Sequence, residues 1–298
     1  MTQRLTILDF LKGLAMIGVI VVHFNSYYQS PSHIMSLVAE VGSRCPQLFF
    51  IISAFLTWKS LSKNNKVDIP RFWKSRFIKI APLYYLSLVL ACVIPVVRIE
   101  RVDIIDAFTH VVFANGLFPN YTNSIMGVEW YIADLALFYF LVPLLFKFVQ
   151  SLKTSLVVFV ITFIVNLIFT VVTNYIFADE IASARSYEMY FHTFCIVNQL
   201  PVIMLGALIY FLHDYTTKND VQVNKILGGS FVFILLFFIT FIVLGLNKRY
   251  VTSSFVAALL FAWITLVLLS KYPSFGGGYF KEYRTKEFRN LLCSYNCH

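Results

Sequence analysis

Charge is scarce in this chain: Asp, Glu, Lys and Arg together make up 13% of 298 residues. A soluble domain carries about twice that fraction, spread over its surface, so the shortage excludes a water-exposed globule. Glycine and proline are few, 12 and 9, and no low-complexity linker or internal repeat is visible, which argues against tethered modules and against a repeat array. Five cysteines (Cys45, Cys92, Cys195, Cys293, Cys297) are odd in number and irregularly spaced, so no disulfide framework is expected. The terminal Cys293, Cys297 and His298 offer too few ligands at a useful spacing, and no metal site is expected. Acidic residues are outnumbered, 15 against 24 Lys and Arg, for a net charge of +9. With no separate soluble basic module to carry that excess, no nucleic-acid partner is expected.

What is present is apolar. Hydrophobic residues are 59% of the chain and aromatics 17%, with a mean hydropathy of +0.75. Runs long enough to cross a hydrocarbon core of about 30 Å as helices occur near 7–27, 46–62, 77–97, 130–149, 154–177, 194–212, 226–246 and 251–270. The predicted fold is all-α, a polytopic transmembrane bundle of about eight spans seated in the lipid bilayer. The first run carries Asp9 and Lys12 and ends in HFNSYYQS without a small-residue cleavage site, so it is expected to be retained as a span and not removed as a signal. The segment 104–118 is short and interrupted by Asp106, His110 and Asn115. If it does not span and the N-terminus is cytoplasmic, 18 of the 24 Lys and Arg fall inside, as positive-inside topology demands; if it does span, that bias vanishes. It is therefore read as interfacial or re-entrant. Residues 1–271 form the membrane domain and 272–298 a polar, cytoplasmic tail.

Ionisable residues inside a membrane helix are costly and point to function. The first run holds three, Asp9, Lys12 and His23. Positions 12, 16, 19 and 23 follow helical spacing, so Lys12 and His23 share one face about 16 Å apart. Lys12 lies toward the cytoplasm and His23 toward the outside, where a neutral imidazole can take a proton near pH 7. From spacing alone a snorkelling Lys and a packing His remain equally open.

Three segments in order, LDFLKGLAMIGVIVVHF (8–24), LFFIISAFL (48–56) and RFIKIAPLYY (76–85), resemble the opening of the acyltransferase-3 family of integral membrane sugar O-acyltransferases. Lys12 stands where that family has an Arg, separated from its His by ten residues. Phe49, Phe50, Ser53 and Phe55 match the next motif, with Ala54 replacing Gly, and Arg76, Lys79 and Pro82 match the third, with Lys79 replacing Arg. Further on, NSIMGVEWYIADLALFYFLVPLL (123–145) and NQLPVIMLG (198–206) resemble later family segments, through Trp130, Phe138, Tyr139 and Pro143. The family Glu five residues after the Trp is Leu135 here, with Asp134 one place early and Glu129 just before the Trp.

The resemblance implies transfer of an acyl group, usually acetyl, from acetyl-CoA or another acyl-CoA to a hydroxyl of an exported glycan or glycolipid. On that reading Lys12, Arg76 and Lys79 hold the donor's phosphates, and His23 is the general base with Asp134 or Glu129 orienting it. Ser53 is a substrate donor or a packing residue, and Trp130 a sugar platform or an interface anchor. His110, His192 and His213 have no partner at a telling spacing and are read as structural. The expected partners are a cell-surface glycan or lipid-linked sugar, and the expected location is the cell membrane. The alternative is a proton-coupled transporter or flippase of a lipid-linked glycan, built on the same buried His and Lys.

Overall fold

A stretch of some 20 apolar residues can satisfy its backbone polar groups in a bilayer only by closing them on itself as a helix. The computed structural model describes residues 5–28, 32–63, 68–93, 103–176, 191, 193–219 and 253–271, and every apolar run predicted within them is helical. The elements are α1 (Thr6–Tyr28), α2 (His33–Gly42), α3 (Cys45–Leu61), α4 (Ile69–Val93), α5 (Ile104–Val111), a 3-10 turn (Asn115–Leu117), α6 (Trp130–Phe148), α7 (Leu152–Ile176), α8 (Ile196–Lys218) and α9 (Ser253–Lys271). Among the described residues there is no strand. Six stretches are long and apolar enough to span, with α2 and α3 counted as one (His33–Leu61), and α9 has a shorter apolar core, Phe255–Ser270. The run 226–246, the tail 272–298 and His192 lie outside the described residues.

Two boundaries differ from the sequence reading. The third run, expected from 77, begins at Ile69 as α4, because Phe72 and Trp73 pack against Tyr139 and Phe140 of α6 and carry the basic residues 71–79 onto the helix. The short α2 between the first two runs was unforeseen; Ser32 caps it by accepting from the Met35 amide. The 104–118 segment behaves as predicted. α5 has eight residues, about 12 Å of helix, far short of a span.

Helix directions follow from side-chain contacts. Gln47 meets Gln199 and Phe55 meets Tyr210, so α3 and α8 run parallel; Phe50 meets Tyr131 and Trp58 stacks on Phe138, so α6 runs with them. α4 runs the other way, since Trp73 stacks on Phe140 while Tyr84 lies by Glu129; so does α1, since Gly18 abuts Cys45 at the start of α3 and the buried residues of α1, Ile7, Leu8, Leu11 and Ala15, all precede Gly18. The bundle therefore has two ends, one holding His23, Gln47 and Trp130, the other Lys59, Arg76 and His213.

α3 is the hub. Phe50, Ile51, Ile52, Ala54, Phe55 and Trp58 are fully buried, leaving it no lipid-facing side, and the Trp58 indole donates to the Val149 carbonyl at the end of α6 (3.1 Å). α8 closes on α3 at Gly206, where an added Cβ would stand 2.3 Å from the Ile51 carbonyl oxygen and 2.7 Å from Ala54 Cβ. Ala54, the residue that departs from the family Gly, thus faces a glycine on the opposing helix. The outer helices are inside-out: α7 buries Ser155, Thr162, Asn166, Thr170 and Thr173 and exposes Val160, Ile161, Ile164, Val165, Ile168 and Val171, the arrangement lipid selects.

Gly206→Ala forces backbone against backbone and is expected to cost about 1–3 kcal/mol, the range of overpacked cores. Gly13→Ala, where a Cβ meets nothing within 4 Å, is the matched control. Thermal unfolding in detergent should show a lower midpoint for Gly206→Ala alone; equal midpoints would mean that the α3–α8 contact is slack.

Candidate functional site

At the His23 end, α1 presents an imidazole that is half-buried and makes no side-chain hydrogen bond to any described residue. His23 lies eleven residues along α1 from Lys12, which is also half-buried. Neither carboxylate predicted to orient His23 bonds to it. Asp134 is fully buried on α6, and neither of its oxygens has a hydrogen-bond partner among the described residues. Its Oδ1 lies 3.0 Å from where a Cβ on Gly116 would stand, so a side chain at 116 would crowd the carboxyl. Leu135, at the family Glu position, is buried in the core.

Glu129 is engaged elsewhere. It stands just before α6, where its Oε1 accepts from the amides of Ile125 (2.8 Å) and Met126 (3.1 Å) and its Oε2 from that of Val128 (2.8 Å). His110 Nε2 approaches the same Oε1 at 3.3 Å. Burial opposes ionisation of Glu129, but the bonds from His110 and these amides outweigh it and hold its carboxyl below the usual range. The structural reading of His110 therefore needs a correction: it has partners, and the i, i+4 spacing of Asp106 and His110 was the signal. Asp106 itself accepts from Ser124 Oγ at 2.7 Å, and Tyr84, buried beside the cluster, has an unpartnered hydroxyl among the described residues. Phe113, at φ 58°, turns the chain after α5 in the left-handed region, a strain of about 1–2 kcal/mol. Its ring packs on Tyr84 at 4.9 Å.

The other predicted residues divide the same way. Trp130 is 9% exposed and stacked on Phe194 at 4.7 Å, so its indole face is occupied by protein. Ser53 is half-buried, within reach of the Tyr131 and Tyr139 hydroxyls. Arg76 points into the bundle, its guanidinium 5.2 Å from the Tyr139 ring centre and 5.3 Å from that of Phe72, and its buried Nε has no partner among the described residues. Lys79 is exposed, so the i, i+3 pair does not turn inward together. A polar seam missed by sequence reading crosses the bundle at the His23 end: Gln47 donates to Gln199 (3.3 Å), Gln199 and Asn198 donate to the Thr193 carbonyl, and Asn166 donates to Asn198. No group of three or more potential metal ligands occurs among the described residues.

Glu129→Gln keeps the shape but loses the charge that four donors converge on. Because the folded carboxyl titrates below its unfolded value of about 4.3, its stabilisation is present above that value and lost as pH falls through the folded one. The wild-type melting midpoint should therefore drop as pH falls below about 4.3, and Glu129→Gln should be less stable at neutral pH with a shallower acid limb. Identical acid limbs would assign the loss to other carboxylates.

The long apolar helices, the polar inward faces and the cationic and imidazole groups held at opposite ends describe a membrane enzyme frame without naming its chemistry. No curated protein and no solved structure matches the chain. The acyltransferase-3 family, described as an acyltransferase domain, matches residues 5–281. That span covers nearly the whole chain, so the protein belongs to this family and is a membrane enzyme that transfers acyl groups.

Proposed function

We propose that this acyltransferase is an O-acyltransferase, moving acetyl from acetyl-CoA to a hydroxyl of an exported polysaccharide or glycolipid at the cell membrane, with its N-terminus cytoplasmic. The observation that carries the reading is the contrast between two histidines. His110 has both ring nitrogens committed to neighbours, whereas His23 is half-buried and unengaged among the described residues. An imidazole at the start of a reaction must have a free lone pair, and only His23 of these two does.

In this mechanism the donor's phosphates sit near Arg76 and Lys12 at one end, with Lys79 at the rim. The acceptor oxygen attacks the thioester carbonyl near the other end. His23 Nε2 or Nδ1 takes the hydroxyl proton as the C–O bond forms, and the tetrahedral intermediate collapses by breaking the C–S bond. The imidazolium then returns the proton to the departing thiolate, giving the ester and free CoA. Tyr131, Ser53 and Tyr139 supply hydroxyls between the two ends, in a bundle where a developing oxyanion has few other donors.

His23→Gln should lower turnover by about 10²–10⁴, the usual worth of a general base, with the KM for acetyl-CoA nearly unchanged. The amide can hydrogen-bond but cannot take the proton, so near-normal glycan acetylation by a folded, equally expressed His23→Gln protein would refute the assignment. Arg76→Ala should instead raise the KM for acetyl-CoA about 10- to 100-fold, the worth of a charge-assisted bond of about 1.5–3 kcal/mol, with a smaller effect on kcat. The exposed Lys63 serves as control: equal effects of Arg76→Ala and Lys63→Ala would return Arg76 to the ordinary positive-inside residues.

A further inference from the structure

α5 is amphipathic in the reverse of the soluble sense. Asp106, Thr109 and His110 are buried while Ile104, Ile105, Phe108 and Val111 are exposed. Lipid can cover the apolar side, which seals the polar side away from water. Behind that seal lies a chain of hydrogen bonds running from Ser124 through Asp106 and His110 to Glu129.

The geometry constrains the charge of the histidine. His110 Nδ1 lies 2.9 Å from the Asp106 carbonyl oxygen and 3.1 Å from Asp106 Oδ1; a carbonyl can only accept, so Nδ1 bears a proton. His110 Nε2 faces Glu129 Oε1, and a carboxylate holding three backbone amides is ionised and can only accept, so Nε2 bears a proton as well. With both nitrogens donating, the ring is an imidazolium. The other titratable groups around it are Asp103, which accepts from the Tyr121 hydroxyl, and Tyr84 and Tyr85 of α4. Tyr85 donates to the Val111 carbonyl at 2.6 Å. The cation is thus set among two carboxylates in contact and a third nearby. Burial by itself disfavours the charged ring, but the bond to Glu129, the Asp106 carbonyl and the two carboxylate charges prevail and raise its pKa.

Glu129 is the residue from which α6 starts, and Trp130, Tyr131 and Asp134 follow within the first turns. We infer that His110 is a positioning residue for acyl transfer, a buried imidazolium that pins Glu129 and so sets the first turn of α6. Loss of either proton turns a lone pair of the ring toward an acceptor oxygen and breaks one of its two links. Because the folded pKa is raised, the pin is fully present below about pH 6.5, the ordinary histidine value, and is lost as pH rises through the folded value. The role in turnover rests on the acyl-transfer reading above; the charge of the ring does not.

Two readouts separate those claims in the full chain held in lipid nanodiscs. The first is the ring 15N shifts of His110, assigned by their loss in His110→Gln. Two protonated nitrogens at pH 6.5 and titration above it support the pin, and a neutral ring at pH 6.5 overturns it. The second is the pH profile of CoA release from acetyl-CoA with an envelope glycan extract as acceptor. His110→Gln should lower kcat by about 10- to 100-fold, as a displaced group does, leave the KM for acetyl-CoA unchanged and remove the alkaline limb expected of the wild type. A purely structural role would lower the folded fraction, read by thermal melting at pH 6, with kcat per folded molecule and the pH profile unchanged; that result overturns the positioning claim. Failure of the wild type to release CoA at all would sink the acyl-transfer reading and the positioning role with it, while the ring shifts would still decide the charge.

Discussion

Hydrocarbon gives a polar group no water to bond, so each one buried in this bundle must find a partner inside the protein or stand unpaired at a cost of about 1–3 kcal/mol or more. The architecture follows from that constraint. α7 turns its Ser, Thr and Asn inward, Asn166, Asn198, Gln199 and Gln47 link three helices, and α3 is enclosed on every side by helices that meet lipid on their outer faces. Pro82, Pro143 and Pro201 interrupt α4, α6 and α8 without ending them, because neighbours pack around each helix.

Groups that escape the rule stand out for that reason. Among the described residues, Asp134 has two buried oxygens without a partner, Arg76 has a buried Nε in the same condition, and His23 makes no side-chain hydrogen bond; all three belong to segments that resemble the acyltransferase-3 motifs. Glu129, by contrast, accepts from four donors. Hydrogen bonding among the described residues separates His23 from His110 where residue type does not.

Six of the seven spans expected within the described residues, the short 104–118 segment and the family were legible in sequence, because length and hydropathy carry them and the motif order is specific. Residue pairing was less legible. Glu129 looked as suited as Asp134 to assist His23, since both follow from position near Trp130; the turn at 125–128 folds three amides onto Glu129, and neither carboxylate bonds His23. Trp130 was open as a sugar platform or an interface anchor, and its contact with Phe194, 64 residues away in sequence, which stacks on it, was not legible. The Asp106–His110 pair was visible as an i, i+4 spacing, yet its third member, Glu129, lies 19 residues on from His110 and no spacing marks it.

The central claim is that one bundle takes its donor at the Arg76 end and delivers the acyl group at the His23 end. Proteoliposomes with the protein in one orientation, acetyl-CoA supplied to a single face and glycan acceptor enclosed on the opposite face test it directly. Labelled acetyl should reach the acceptor only when acetyl-CoA bathes the Arg76 end. Transfer that requires donor and acceptor on the same face would contradict the account.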